Sequence, residues 1–232
     1  MVFPLSEDSI IIQFGTKNQN LKAQIHDVQK AMNKIQSKPF LGFRELVPAY
    51  NTLTIYYDPY VMNDYSPYEI VKKQIEQILH THDQISYVKK RYFELPVCYE
   101  AKFAPDLEEL AISKGLTSEE MIQMHTTMIY DVVFIGFSPG FPFLTGLDEK
   151  LHFPRKTSPR LQVEQGSVGI AGNQTGIYPI TSPGGWQIIG RTPVRLFNVQ
   201  HHPPTLIKAG DQIKFYPISQ KEFTQWEDTL WE

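Results

Sequence analysis

The sequence predicts an α+β protein in two parts, an α/β unit over residues 1–90 and an all-β barrel over residues 91–232. The first 97 residues order as strand, helix, strand, strand, helix, strand. Beyond residue 128, short apolar segments alternate with glycine or proline turns, the punctuation of a closed barrel. Residues 165–190 run for 26 positions without a charged side chain before Arg191, and residues 136–195 hold 10 of the 14 glycines. Glycine tolerates positive φ and close backbone approach. A region rich in glycine, proline, hydroxyls and amides predicts tightly wound β structure, with loops that form a neutral polar surface and one cation at its end.

Each element has its own signal. Residues 9–15, SIIIQFG, read as a buried strand. Over 18–36, Leu21, Ile25, Val28, Met32 and Ile35 recur at steps of four and three, one stripe of a helix, which Pro39 and Gly42 stop. Residues 43–50 and 52–57 are β-like and too close together for a helix between them. Ser66-Pro67-Tyr68-Glu69 opens the next helix, with a capping serine, proline at the first turn and glutamate three residues on. Val71, Ile75 and Ile78 give its buried face. Residues 90–97 make another strand. This is the split βαβ order of ferredoxin-like domains. Two short helices follow, one capped by Asp106, the other opened by Thr117 with Glu120 as a capping box. Residues 128–137 form an apolar strand. Further strands are expected around Val163 and over 168–171, 176–180, 186–190, 194–197 and 212–216.

Composition narrows the function classes. At 232 residues the chain fits one large domain or two modest ones, and a hydrophobic fraction of 41% is enough for a packed core. A net charge of −3 gives no reason to expect nucleic acid or an anionic membrane, and no apolar run nears the roughly 20 residues that span a bilayer. The opening MVFPLSEDS makes a poor signal peptide. The one cysteine, Cys98, agrees with a reducing cytoplasm.

Several residues are chemical candidates. His125 ends the second short helix, where it either caps the last carbonyls or moves a proton. Ser138-Pro139-Gly140 follows a buried strand and reads as a binding loop with oxyanion-holding N–H groups or as a plain turn. It lacks the Gly-x-Ser-x-Gly pattern of a serine hydrolase. Arg155, Lys156, Arg160 and Arg191 surround the glycine-rich region, and arginine holds carboxylate or phosphate bidentately. Gln174, Thr175 and Tyr178 offer neutral donors and acceptors for an amide. Gly184-Gly185 makes a sharp turn beside Trp186, either a core ring or a ligand platform. His80 and His82, and His201-His202, lack accompanying ligands, so no metal site is expected. Phosphate-binding loops of the common types are absent from the sequence.

Longer motifs carry a resemblance. GFSPGFPFLTGLD (136–148), SPRLQVEQGSVGIAGNQTGIYPITSPGGWQIIGRTP (158–193), GDQIKFYPI (210–218), FAPDLEELA (103–111) and HTT (125–127) resemble the PxpB family, the B subunits of 5-oxoprolinase, which includes the histidine-kinase inhibitor KipI and chains called allophanate hydrolase subunit 1. The resemblance implies an N-terminal α/β domain and a C-terminal cyclophilin-like β-barrel. It also implies action with PxpC-like and PxpA-like subunits, the three together opening the lactam of 5-oxo-L-proline to L-glutamate with ATP hydrolysis, and a likeness to the carboxyltransferase part of urea carboxylase. The family's Cys-Tyr-Gly-Gly is here Cys98-Tyr99-Glu100-Ala101, and Ser158 stands where threonine is common.

On this reading the Ser138–Gly140 and Gly184–Gly185 backbones supply donors, and Gln174, Thr175 and Tyr178 grip the lactam. Arg160 or Arg191 meets carboxylate or phosphate, and His125 moves a proton. ATP is used by the complex and no metal is assigned. The alternative is a KipI-type inhibitor docking on a sensor histidine kinase through an apolar patch such as Phe141-Pro142-Phe143. A third is an allophanate-hydrolysing or carboxyltransfer partner subunit.

Overall fold

A computed structural model describes residues 1–15, 21–62, 64–81 and 90–231. The chain divides into two compact units, Met1–Lys89 and Lys90–Glu232.

The first unit contains β1 (Val2–Ser6), β2 (Ser9–Gln13), α1 (Leu21–Ser37), β3 (Phe43–Pro48), β4 (Thr52–Tyr57) and α2 (Pro67–His80). Its four strands are antiparallel in the order β1-β2-β4-β3. Leu53, Ile55 and Tyr57 alternate inward along β4 and pack with Ile10, Ile12, Val28, Ile35, Val71 and Ile75, so one sheet face is covered by both helices. Lys34 Nζ donates to the carbonyls of Leu79 and Thr81, each at 2.7 Å, closing the negative end of α2. Pro67 starts α2, but Ser66 makes no side-chain cap bond. The expected helix start at Asn18 lies outside the described residues, as does His82.

The second unit contains β5 (Tyr92–Cys98), α3 (Leu107–Ser113), α4 (Ser118–Thr127), β6 (Ile129–Ile135), β7 (Pro142–Thr145), β8 (Arg160–Val163), β9 (Ser167–Ala171), β10 (Gln174–Ile177), β11 (Ser182–Gly184), β12 (Gln187–Arg191), β13 (Gln212–Ile218) and α5 (Gln220–Thr224). Seven strands close into a barrel, β10-β7-β6-β13-β5-β12-β9, while β8 and β11 form a separate two-stranded ribbon. Leu95, Val97, Val132, Leu144, Val168, Ile170 and Ile213 pack in the unit's core cluster. Thr117 and Glu120 make the expected capping box on α4, with bonds of 3.1 and 2.8 Å.

The α+β class and the closed barrel agree with the sequence reading, but the ferredoxin-like order does not close among the described residues. The strand expected at 90–97 is β5, and it belongs to the barrel. It pairs in parallel with β13 from Tyr92↔Gln212 to Cys98↔Ile218 and antiparallel with β12 at Arg191↔Cys98. Its last four residues, Leu95 to Cys98, are buried in succession, the signature of a strand covered on both faces. The place beside β2 is taken by β1, which sequence reading missed. Four of its five residues are exposed and one is Pro4, as an edge strand permits. Residues 194–197 form no strand, and Phe197 makes only an isolated bridge with Thr205.

Candidate functional site

The uncharged stretch 165–190 supplies three neighbouring barrel strands, β9, β10 and β12, and β11 of the ribbon. All five residues of β9 are buried, as are the last three of β10 and the middle three of β12. Burial of both strand faces excludes charge here. The stretch is therefore chiefly barrel wall, a correction to the expected polar surface. Its exposed parts are the turns, among them Gly172-Asn173 and Ile180-Thr181.

His125 sits inside the barrel unit with no exposure. Its ring stacks on Phe215 at 4.7 Å and lies 5.4 Å from Tyr130. Nδ1 lies 2.8 Å from the Tyr99 hydroxyl and Nε2 lies 3.1 Å from Thr175 Oγ1. Thr175 donates its one hydroxyl proton to the Gly169 carbonyl at 3.0 Å. It must then accept from Nε2–H, which leaves Nδ1 to accept from Tyr99 O–H. Burial lowers the imidazole pKa to about 3, so the ring is neutral. Desolvation likewise raises the pKa of the Tyr99 phenol. The expectation that His125 moves a proton for catalysis is corrected: the ring is enclosed by aromatic side chains and both its nitrogens are engaged. Thr175 is fully buried in the same chain of hydrogen bonds, so it holds the histidine rather than a lactam.

A cation group lies at the ribbon. Asp106 is 4% exposed and makes no cap bond to α3. Its Oδ1 accepts from Arg160 Nη2 at 2.6 Å and Lys156 Nζ at 3.1 Å, and its Oδ2 accepts from the Ile188 N–H at 2.6 Å. Burial raises the Asp106 pKa, but the hydrogen bonds from Arg160, Ile188 and Lys156 outweigh it and hold the carboxyl below its ordinary value. Arg160 Nη1 is buried and has no hydrogen-bond partner. Tyr178 is buried close by. Desolvation raises its pKa, while a hydrogen bond from the Trp186 N–H and the charges of Arg155 and Arg160 act the other way. Gly184 lies against this phenol so closely that an added Cβ would sit 2.4 Å from its oxygen, whereas a Cβ on Gly185 would meet nothing nearer than 3.7 Å. Trp186 is 5% exposed and meets Phe141 edge to face at 5.3 Å, so it is a core ring.

The Ser138 loop adjoins this group, with the Phe137 ring 6.2 Å and the Phe141 ring 5.2 Å from that of Tyr178. Arg191 Nε donates to the Gln165 carbonyl at 2.7 Å, and its guanidinium lies over Phe223 at 5.9 Å. In the Ser138 loop, Ser138 N–H bonds to the Gly136 carbonyl at 2.7 Å and Phe141 N–H to the Ser138 carbonyl at 3.0 Å. Pro139 has no N–H, so Gly140 carries the loop's remaining donor. Ser138 Oγ and Gln174 Nε2 are buried without partners. Phe137 holds φ at 66° and exposes 67% of its surface. A cavity of about 460 Å³ opens elsewhere on the unit, lined by Tyr99, Glu100, Ala101, Glu108, Glu119 and Ile122 among others. Glu100 and Ala101 stand where the family pattern has glycines.

Sequence reasoning does not single out Asp106 as a site residue, and it passes over Tyr99. Asp106 precedes a helix and reads as its cap, so only the fold reveals its cations. Nothing in the local pattern marks Tyr99. Among the described residues no three His, Cys, Asp or Glu side chains gather as a metal site.

The sequence profile of the carboxyltransferase domain, subdomains C and D, matches residues 1–207. The chain belongs to this carboxyltransferase-domain family. Within the family it is 44% identical over 231 residues to the 5-oxoprolinase B subunit of Bacillus subtilis (strain 168), covering 97% of this chain and 95% of that protein. The resemblance to the PxpB family is thereby established. Among solved structures, TTHA0988 superposes with a TM-score of 0.77 at 30% identity, over 94% of this chain and 40% of that one. The urea carboxylase of Kluyveromyces lactis superposes with a TM-score of 0.72 over 97% of this chain and 22% of that one. At 20% identity the latter shows a shared fold alone. The chain thus spans less than half of either structure.

Proposed function

We propose that this chain is the PxpB component of a multi-subunit, ATP-dependent 5-oxoprolinase that converts 5-oxo-L-proline to L-glutamate, working with PxpC-like and PxpA-like subunits in the cytoplasm and inactive alone. The observation that carries this is the 44% identity, nearly end to end on both sides, with a protein named as the B subunit of 5-oxoprolinase. The cyclophilin-like character of the barrel belongs to the same proposal.

A lactam carbonyl is a weak electrophile. In the proposed reaction its oxygen takes the γ-phosphoryl group of ATP and ADP leaves. Water adds to the activated carbon and the C–N bond opens, giving an acyl phosphate that a second water hydrolyses to glutamate and phosphate. Such chemistry needs fixed donors for developing oxyanions and cations facing phosphoryl oxygens. Among the candidate residues, Arg160 Nη1, Ser138 Oγ and Gln174 Nε2 are buried donors without a hydrogen-bond partner. They support a role in which the chain contributes part of a site that other subunits complete. Arg191 remains a proposed contact for phosphate or carboxylate. Its replacement by alanine should lower turnover of the assembled enzyme at least about tenfold, equivalent to 1.4 kcal/mol in the barrier.

The deciding experiment is glutamate release from 5-oxo-L-proline and ATP by the three purified subunits, each omitted in turn. Release that needs all three is expected. Undiminished release without this chain would overturn the reading.

A further inference from the structure

The side chains at the β8–β11 ribbon leave two donors unused and offer no acceptor for them. Arg160 is locked in place by Asp106, whose two oxygens already take three hydrogen bonds, and its Nη1 is left buried without a partner. Tyr178 is 1% exposed, and among the described residues no acceptor takes its phenolic proton. A buried donor without an acceptor is costly, and more so when it carries charge. Charge points the same way. Lys156 and Arg160 both pair with the single carboxylate of Asp106, so the three side chains carry a net positive charge, and Arg155 lies close enough for its charge to act on the Tyr178 phenol.

The geometry points to a carboxylate subsite at this ribbon, in which one ligand oxygen accepts from Arg160 Nη1 and Tyr178 O–H while Arg155 and Lys156 flank the charge. It deepens the proposed function and rests on it: the ligand is the carboxylate of the cyclic amide substrate. Lys156 makes the longest of the three contacts to Asp106, 3.1 Å, and its side chain is 29% exposed, so it is the part that swings aside to admit the ligand. Phosphate fits less well. Phosphate sites commonly rest on several converging backbone N–H groups, whereas here the Lys156 N–H is bonded to the Gly185 carbonyl and Gly184 pairs with Arg160 across the ribbon. Two side-chain donors suit one edge of a planar carboxylate. The tight packing of Gly184 on the Tyr178 ring fixes the phenol's direction.

The test is calorimetric titration of the full chain and of the assembled complex with 5-oxo-L-proline, 2-pyrrolidone (the same lactam without its carboxylate) and inorganic phosphate. 5-Oxo-L-proline should bind, and 2-pyrrolidone should not. Phosphate should not compete. Tyr178→Phe and Arg160→Gln should each raise Kd for 5-oxo-L-proline at least about tenfold, the loss of one hydrogen bond to a charged group. Because Arg160→Gln also strips a partner from buried Asp106, Tyr178→Phe is the decisive variant. In the assembled enzyme it should raise KM for 5-oxo-L-proline and leave KM for ATP unchanged. Equal binding of 2-pyrrolidone, displacement by phosphate, an unchanged Kd in Tyr178→Phe, or no binding to chain or complex would each overturn the subsite. An active complex with an unaltered Tyr178→Phe variant would sink the subsite and leave the proposed place in the enzyme standing. Carboxylate binding without any turnover would do the reverse.

Discussion

A neutral histidine in a barrel core makes stability depend on acidity. The unfolded chain protonates His125 near its ordinary value of about 6.5, whereas the folded chain resists protonation down to about 3. The folded value is depressed, so this contribution is fully present above the unfolded value and is lost progressively as pH falls from about 6.5 toward 3. At pH 5 the loss is about 2 kcal/mol. Denaturant unfolding at pH 7.5 and pH 5 should therefore show a fall in stability about 2 kcal/mol smaller for His125→Gln than for the native chain. Equal pH dependence would contradict a neutral buried ring. Asp106 gives a second residue-scale expectation. Asp106→Ala leaves Lys156 and Arg160 facing each other without their shared carboxylate. Both cations keep some solvent contact, so the cost should be about 2–3 kcal/mol in a denaturation midpoint experiment. Individual chemistry is only partly legible in the sequence. Arg160 stands out because few cations enter its region, yet the partner that orients it lies 54 residues earlier in the chain. His125 is visible as a helix-end histidine, but only the closed barrel brings Tyr99 and Thr175 to its two nitrogens.

At the scale of single elements, the neutral stretch shows how one pattern carries two meanings. Absence of charge marks either a polar binding surface or strands buried on both faces, and barrel closure decides for the second along most of 165–190. Helix signals are plainer because they are local: the stripe through Ile25, Val28 and Ile35 is buried, and Thr117 and Glu120 cap each other as their spacing predicts. Thr117→Ala should cost about 1 kcal/mol, read from the melting curve. The two adjacent ribbon glycines should behave differently. A methyl group at Gly184 would meet the Tyr178 oxygen at 2.4 Å, while one at Gly185 has room. Gly184→Ala should destabilise by about 1–3 kcal/mol and disturb near-ultraviolet tyrosine signals. Gly185→Ala should stay within about 0.5 kcal/mol of the native chain. If both variants melt alike, the close packing on the phenol is wrong.

For the molecule as a whole, the two units draw their cores from separate stretches of chain. Sequence reading locates the transition near residue 90 but pairs β5 with the wrong side, because a lone apolar strand does not announce its partner. Its place is decided by β13, more than a hundred residues later. Residues 90–232 should accordingly fold as an isolated fragment with a cooperative thermal transition and dispersed amide NMR signals. A fragment starting at residue 99 should not, since it lacks the strand between β13 and β12. That seam between β5 and β13 also sets an order of events during synthesis. The strand at 92–98 leaves the ribosome early and waits unpaired along its parallel edge until 212–218 has been translated. A nascent chain stalled short of that point carries an open, sticky wall, and it is the species that chaperones would be expected to hold.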